Sequence, residues 1–336
     1  MLSAVTGHNK VKNVLTLSVA ENRVGHAYIF EGPRGVGRLT MAKEFAKLLL
    51  CENPDGGEPC GVCKNCTMCS SGNHPDVQII TNQLYDESKK SKDVLVDTVR
   101  NMKKDIYIKP FVSERKIYIV PNADTMNMYA QNSLLKVLEE PPDYCTIILI
   151  AENSNLFLPT ILSRGVPIKF YPLADSLIAG YLKSAYPELS LQSTALAAMS
   201  GGCIGRAKEL VRSDEVIKFR DELYQRVLAL ADKGSRSIYD LMRFLRHNKD
   251  DSKLIMDMMQ GLFRDLIYVK QDAESDAVSN LDKISDIKML GDKIRMDTPV
   301  KLLEILIKYN EYISRNISYA QITQCMSLEL WEAIHD

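Results

Sequence analysis

Two stretches of this 336-residue chain carry residue types whose spacing could do chemistry. In one, Cys60-x-x-Cys63-x-x-Cys66-x-x-Cys69 follows Cys51 after a Pro/Gly-rich segment. Cys-x-x-Cys turns let two thiolates converge on a tetrahedral ion, so the run predicts a metal site. Five cysteines compete for four places, and one is spare. The spacing prefers zinc. An iron–sulfur cluster uses similar runs, usually with a following Cys-Pro that is absent here. A four-cysteine site without an open position would be structural.

The other stretch is Gly32-Pro33-Arg34-Gly35-Val36-Gly37-Arg38-Leu39, placed between an expected strand and an expected helix. A working phosphate loop reads G-x-x-x-x-G-K-[ST]: its backbone N–H groups cradle phosphates, its Lys reaches them, and its hydroxyl ligates Mg²⁺. Here Gly32, Gly35 and Gly37 are kept, but Arg38 stands at the Lys position and Leu39 at the hydroxyl position. Arg38 retains positive charge in a larger, planar fork. Leu39 cannot bind magnesium, and Thr40, one residue later on a helix, points about 100° away. The other magnesium element of such sites is a strand ending in Asp, usually followed by Glu. The strand at 116–120 runs instead into Pro121-Asn122-Ala123-Asp124, with its carboxylate about three residues late by that pattern. A phosphate-binding ancestry without present ATP hydrolysis follows, and any nucleotide binding would be vestigial.

The elements that must position these residues alternate in the first half. Strands are expected at His26–Glu31, Val77–Thr81, Lys116–Val120, Thr146–Ala151 and Pro167–Tyr171, each apolar and bounded by turn formers. Helical patterns lie between them at Leu39–Leu50, Val94–Lys104 and Met126–Glu140, the last stopped by Pro141-Pro142. This predicts an α/β domain built on a parallel sheet. Beyond Tyr171 strand signals vanish. Helices are expected at Asp175–Tyr186 and Ser190–Met199, and again after the glycines 201, 202 and 205. From about Ser213 the chain reads as all-helical, with stripes such as Leu254, Ile255, Met258, Met259, Leu262, Phe263 and Leu266. Thr298-Pro299 reads as N-cap and first helical residue. The polar tract Gln271–Asn280 reads as a surface loop. Three domains are expected: 1–171 with the Cys-rich module at 51–69, a helical lid at 172–212, and an all-α collar at 213–336.

Composition narrows the classes. Lys plus Arg (42) nearly balance Asp plus Glu (43), which excludes a basic nucleic-acid arm and an acidic tail. No apolar run is long enough to span a bilayer, and the N-terminus lacks the basic-then-apolar order of a signal peptide, so a cytoplasmic protein is expected. Clustered cysteines in that compartment favour a metal over disulfides.

Together these motifs resemble the clamp-loader branch of the AAA+ proteins. The likeness rests on Gly32–Gly37 with a Cys-rich insertion after the next helix and on Asn73-His74-Pro75-Asp76. It extends to Ala130-Gln131-Asn132-Ser133-Leu134-Leu135-Lys136-Val137-Leu138-Glu139-Glu140-Pro141-Pro142, and to Thr160-Ile161-Leu162-Ser163-Arg164, where Gly165 replaces the usual Cys. It covers about the first 210 residues. Within that branch the lost magnesium ligands and the intact cysteines are similar to the stator subunits of bacterial DNA polymerase III. The resemblance implies a subunit of a pentameric loader, joined to gamma/tau and delta subunits, that helps place a sliding clamp on primed DNA. It implies zinc on Cys51, Cys60, Cys63 and Cys66, with Cys69 spare, and it implies that Arg164 is an arginine finger acting on a neighbour's ATP. Arg206 falls where a sensor-2 arginine would lie; a nucleotide-sensing and a purely structural role stand side by side for it. The helical remainder would form the collar that oligomerises the loader. Two other readings compete. One is an active clamp-loader-type ATPase; the other is a zinc-dependent nucleic-acid-binding protein. Against the latter, Lys64 is the only basic residue between Cys51 and Cys69.

Overall fold

Runs of β-branched and aromatic residues without polar alternation can be buried on both faces, and the inner strands of one five-stranded parallel sheet are built from them. The structure, a computed structural model, describes residues 2–85, 93–232, 234–271, 278–315 and 317–336. It divides into two compact units, Met1–Leu173 and Ala174–Asp336.

The first unit runs α1 (Asn9–Ala20), β1 (Ala27–Glu31), α2 (Arg38–Leu50), α3 (Lys64–Ser71), β2 (Val77–Ile79), α4 (Asn82–Tyr85), α5 (Val96–Ile106), β3 (Lys116–Val120), α6 (Met128–Glu139), β4 (Cys145–Ala151), α7 (Pro159–Leu162) and β5 (Val166–Lys169). The sheet order is β2-β3-β4-β1-β5, every pair parallel. All of β3 and β4 is buried. Val99, Met102 and Ile106 of α5, with Ala130, Leu134 and Val137 of α6, join one core with Tyr118, Ile147 and Leu149.

Element ends shift from the sequence reading for local reasons. The α5 helix starts at Val96 rather than Val94, because Val94 N–H donates to Thr125 Oγ1 and Leu95 N–H to Asn82 Oδ1. The α6 helix starts at Met128 because Asn127 caps it, its side chain accepting from Ala130 N–H at 3.0 Å, which leaves Met126 outside. The last strand ends at Lys169, although Phe170 N–H still donates to Glu31 O at 2.7 Å.

The second unit holds α8 (Asp175–Ala185), α9 (Ser193–Met199), α10 (Ile204–Val211), α11 (Asp214–Leu228), α12 (Ser235–His247), α13 (Ser252–Lys270), α14 (Ile284–Lys293), α15 (Thr298–Ser314) and α16 (Tyr319–His335). Ile255, Met258, Met259, Leu262, Phe263 and Leu266 bury the expected stripe of α13, which packs against α9, α11, α14 and α15. The segment expected as lid is thus packed on the expected collar through α9 and α13. At α15 the N-cap position is Asp297; Thr298 is the first helical residue, and buried. Of the tract expected as a surface loop, residues 272–277 lie outside the described residues. Val278, Ser279 and Asn280 are buried, because the buried carboxylate of Asp265 accepts from Ser279 N–H (2.9 Å), Asn280 N–H (2.8 Å) and Asn280 Nδ2 (2.7 Å). A carboxyl acceptor below the surface draws polar residues inward that hydropathy alone places outside.

Candidate functional site

The Cys-rich segment folds around its sulfurs. Cys51 closes α2, Cys63 is the N-cap of α3, and Cys66 lies one turn into that helix. The Sγ atoms of Cys51, Cys60, Cys63 and Cys66 all lie within 4.8 Å of one another. Backbone N–H groups already point at three of them: Cys60 N–H at Cys51 Sγ (3.2 Å), Cys63 N–H at Cys60 Sγ (3.4 Å) and Cys66 N–H at Cys63 Sγ (3.4 Å). Donors from Cys63 and Val62 pull the Cys60 thiol down to about 6, while burial pushes the Cys66 thiol up. This donor set, four sulfurs with N–H groups aimed at three of them, suits a tetrahedral thiophilic cation such as zinc. Cys69 stands outside the group, and burial raises its thiol to about 11.

Behind the cluster sits a polar network that uses His74 and Asp76 of Asn73-His74-Pro75-Asp76. Asn65 Nδ2 donates to Leu50 O at 2.9 Å, and Asn65 Oδ1 lies 3.2 Å from His74 Nε2. The fully buried Asp76 accepts from the backbone N–H groups of Phe111 (2.6 Å), Val112 (2.8 Å) and Ser113 (2.9 Å). Burial alone would raise its pKa, but these donors and the Ser113 hydroxyl outweigh burial and hold it below the ordinary 3.8. Asp76→Asn puts an amide against donors that need an acceptor and should cost about 3 kcal/mol, read by urea denaturation of the full chain. Because the folded pKa is the lower one, the stability contributed by Asp76 is complete above 3.8 and drains as pH falls through the folded value. The variant should therefore show a shallower loss of stability on the acid side.

The Gly-rich loop joins β1 to α2. Gly32 has φ 153°, and a Cβ there would lie 2.4 Å from Phe170 O, so only glycine fits where the loop passes the end of β5. Gly37, at φ 114°, is the N-cap of α2. Arg38 is buried, whereas Leu39 and Thr40 are exposed. After β3, Asp124 sits in a short 3₁₀ turn, and its Oδ2 accepts from Glu152 N–H (2.8 Å) and Asn153 N–H (3.2 Å). That carboxylate ties the ends of β3 and β4 together.

The helix α6 sets the position of Arg164. Its buried Gln131 donates to Met126 O (2.9 Å) and Leu156 O (3.1 Å) and accepts from Leu158 N–H (2.8 Å), which fixes the approach to α7. Arg164 follows α7, partly exposed. Its Nη1 donates to Thr160 O at 2.8 Å, and its Nη2 pairs with Glu139 at 3.0 Å. Gly165 is explained by close packing, since a Cβ there would stand 2.7 Å from the buried side chain of Ile29. Arg206, in the second unit, has Asp257 of α13 at 3.8 Å.

The sequence reading did not single out Asp76, Gln131 or Asp124 for their roles. Gln131 had a signal, a polar residue three positions before Leu134 on the buried side of α6. Asp76 and Asp124 had none, because each is defined by partners at least 28 residues away.

A Gly-rich loop between an inner strand of a parallel sheet and the helix that follows it gives the first unit the fold of a P-loop domain, and the second unit is helical. Residues 7–174 match the model of the family described as "DNA polymerase III, delta subunit", and residues 215–320 match that of "DNA polymerase III, delta subunit, C terminal". The chain belongs to this DNA polymerase III delta family. It is 27% identical over 327 residues to the DNA polymerase III subunit delta′ of Bacillus subtilis, covering 96% of both chains. It is 34% identical over 179 residues to the delta′ subunit of Pseudomonas aeruginosa, 53% of each chain. The tau subunit of Bacillus subtilis is 27% identical over 330 residues, 91% of this chain and 57% of that protein.

Proposed function

We propose that this chain is the delta-prime-type stator of a DNA polymerase III clamp loader. It binds gamma/tau and delta subunits, does not hydrolyse ATP, and lends Arg164 to a neighbour's ATP site while the assembly loads a sliding clamp on primed DNA. One observation carries the reading: neither magnesium position of its own loop has a ligand. Leu39 replaces the hydroxyl, and β3 leads to Pro121-Asn122 while Asp124 is engaged by Glu152 and Asn153. Phosphoryl transfer depends on positioning and on metal-borne charge stabilisation, so losing both ligands removes most of the catalysis. Cys51, Cys60, Cys63 and Cys66 hold a structural zinc. Arg206 serves the packing of the helical unit, since Asp257 lies beside it.

ATP turnover by the purified chain tests the first part. It should match the no-protein blank with Mg²⁺ present, and the double variant Arg38→Lys, Leu39→Thr should stay there, because the acidic pair after β3 is still missing. Magnesium-dependent turnover that co-elutes with the unmodified chain would instead favour an active loader ATPase.

A further inference from the structure

The loop between Cys51 and Cys60 reaches from the sulfur cluster to the start of the chain. It turns on itself through Asp55 and Glu58, whose backbone groups exchange hydrogen bonds of 3.0 and 2.8 Å. At the turn, Gly57 (φ +83°) presses on α1 so closely that a Cβ there would fall 2.0 Å from Thr16 Cγ2. The Glu58 carboxylate then accepts Ser3 N–H on both oxygens (2.9 and 3.2 Å) and the Ser3 hydroxyl at 3.2 Å.

Ser3 belongs to a strap, residues 2–8, that is under backbone strain. Leu2 and His8 have φ 44° and 56°, left-handed values that residues with a Cβ rarely adopt. Such strain persists only where neighbours hold it. Leu2 and Val5 are buried, Glu58 fastens Ser3, and at the far end His8 Nε2 donates to Val36 O at 2.9 Å. The imidazole also packs edge-on against Phe170, whose carbonyl closes over Gly32. Val36, fully buried, is the middle of the Gly-rich loop.

We infer that the four-cysteine site is a tether: its metal fixes the loop bearing Glu58, Glu58 fastens the strap, and the strap holds the Gly-rich loop through His8 and Val36. The inference rests on reading the cluster as a metal site, and elemental analysis tests that separately. Without the metal, the thiols converge on nothing, the 52–59 loop loosens, and the strained strap relaxes away from Val36. The Ser3 contacts on Glu58 are what fasten this end of the strap, so losing them should shift its local opening equilibrium about tenfold.

Limited trypsin digestion of the full chain, mapped by mass spectrometry, tests the tether. Arg34 is exposed on the Gly-rich loop and Arg38 is buried at the first position of α2, whereas Arg23 is exposed and serves as internal reference. Glu58→Ala should retain its metal and cleave at Arg34 and Arg38 about tenfold faster relative to Arg23. Glu58→Gln, which keeps one acceptor oxygen, should fall between it and wild type. Chelator-treated wild type should show the same acceleration, with added cuts at Lys64. Unchanged cleavage at Arg34 and Arg38 in metal-bound Glu58→Ala would overturn the tether, as would loosening confined to the cysteine segment after chelation. If chelation unfolds the whole unit, cleavage at Lys43 and Lys47 of α2 will report it, and the Glu58→Ala result then decides.

Discussion

Arg164→Ala in a reconstituted loader should leave assembly intact and sharply lower clamp-stimulated ATP hydrolysis and clamp loading. An arginine fork at a γ-phosphate offsets charge on the equatorial oxygens, and fingers of this kind supply about 10³–10⁵ in rate at the site they serve. Several sites contribute to total turnover, so the measured drop will be smaller than the effect at the one site. The side chain is now held by Glu139 and Thr160, and releasing it must not cost more than the finger gains. A partly exposed pair such as Arg164–Glu139 is worth about 0–1 kcal/mol, against about 4–7 kcal/mol for such a rate factor, so release is cheap. Arg164→Lys should recover only part of the loss, since an ammonium lacks the two-donor plane. Glu139→Gln should leave loading near wild type. Size-exclusion chromatography establishes assembly, and loading on primed DNA gives the result. Full activity in an intact Arg164→Ala complex would make the arginine a surface pairing residue.

The second large effect concerns the cysteines. Protein purified without added metal should carry one zinc per chain, and Cys69→Ser should keep it. Cys63→Ser should lose it, with affinity falling by more than the 10–100-fold typical of losing a supporting partner. Cys63 is both a sulfur of the cluster and the N-cap of α3, its Sγ accepting from Cys66 N–H, so the short helix should fray with the metal. The core that α5 and α6 make with the strands lies away from the cluster, and its melting should change less than protection of the 51–72 segment. Elemental analysis and hydrogen exchange read the two parts. Iron with visible absorption, or no metal in a protein whose cysteine segment is fully protected, would count against the zinc assignment.

What the sequence reveals and what it conceals divide along physical lines. The third strand matches its expected bounds, Lys116–Val120, because Ile117–Val120 form an unbroken apolar run behind Lys116, which is buried against Asp105. The cysteine quartet is legible because sulfur is scarce and its ligand spacing is short. Four helices of the first unit are missed: α1, α3 and the four-residue α4 and α7. In α1 the buried positions Val11 and Leu15 are joined by Lys12 and Thr16, so the apolar period is broken by polar residues that fold inward. The α3 segment, Lys64–Ser71, has no apolar stripe; its helix begins at the Cys63 cap and ends at left-handed Gly72. The carboxylates of Glu58, Asp76 and Asp124 are invisible for another reason. Their partners lie at least 28 residues away, and spacing along a chain does not encode which distant backbone a carboxylate will meet.

Clamp loading on primed DNA by a complex assembled with and without this chain tests the central proposal most directly. With gamma/tau and delta subunits and the clamp present, omitting the chain should abolish loading, and wild type should restore it. Arg38→Ala, which removes the cation at the lysine position of its own loop, should restore loading as well if that loop turns over no nucleotide. Loading that proceeds equally well without the chain would contradict the stator role. Loading restored by wild type but not by a folded, assembled Arg38→Ala would contradict the claim that its own nucleotide site is idle.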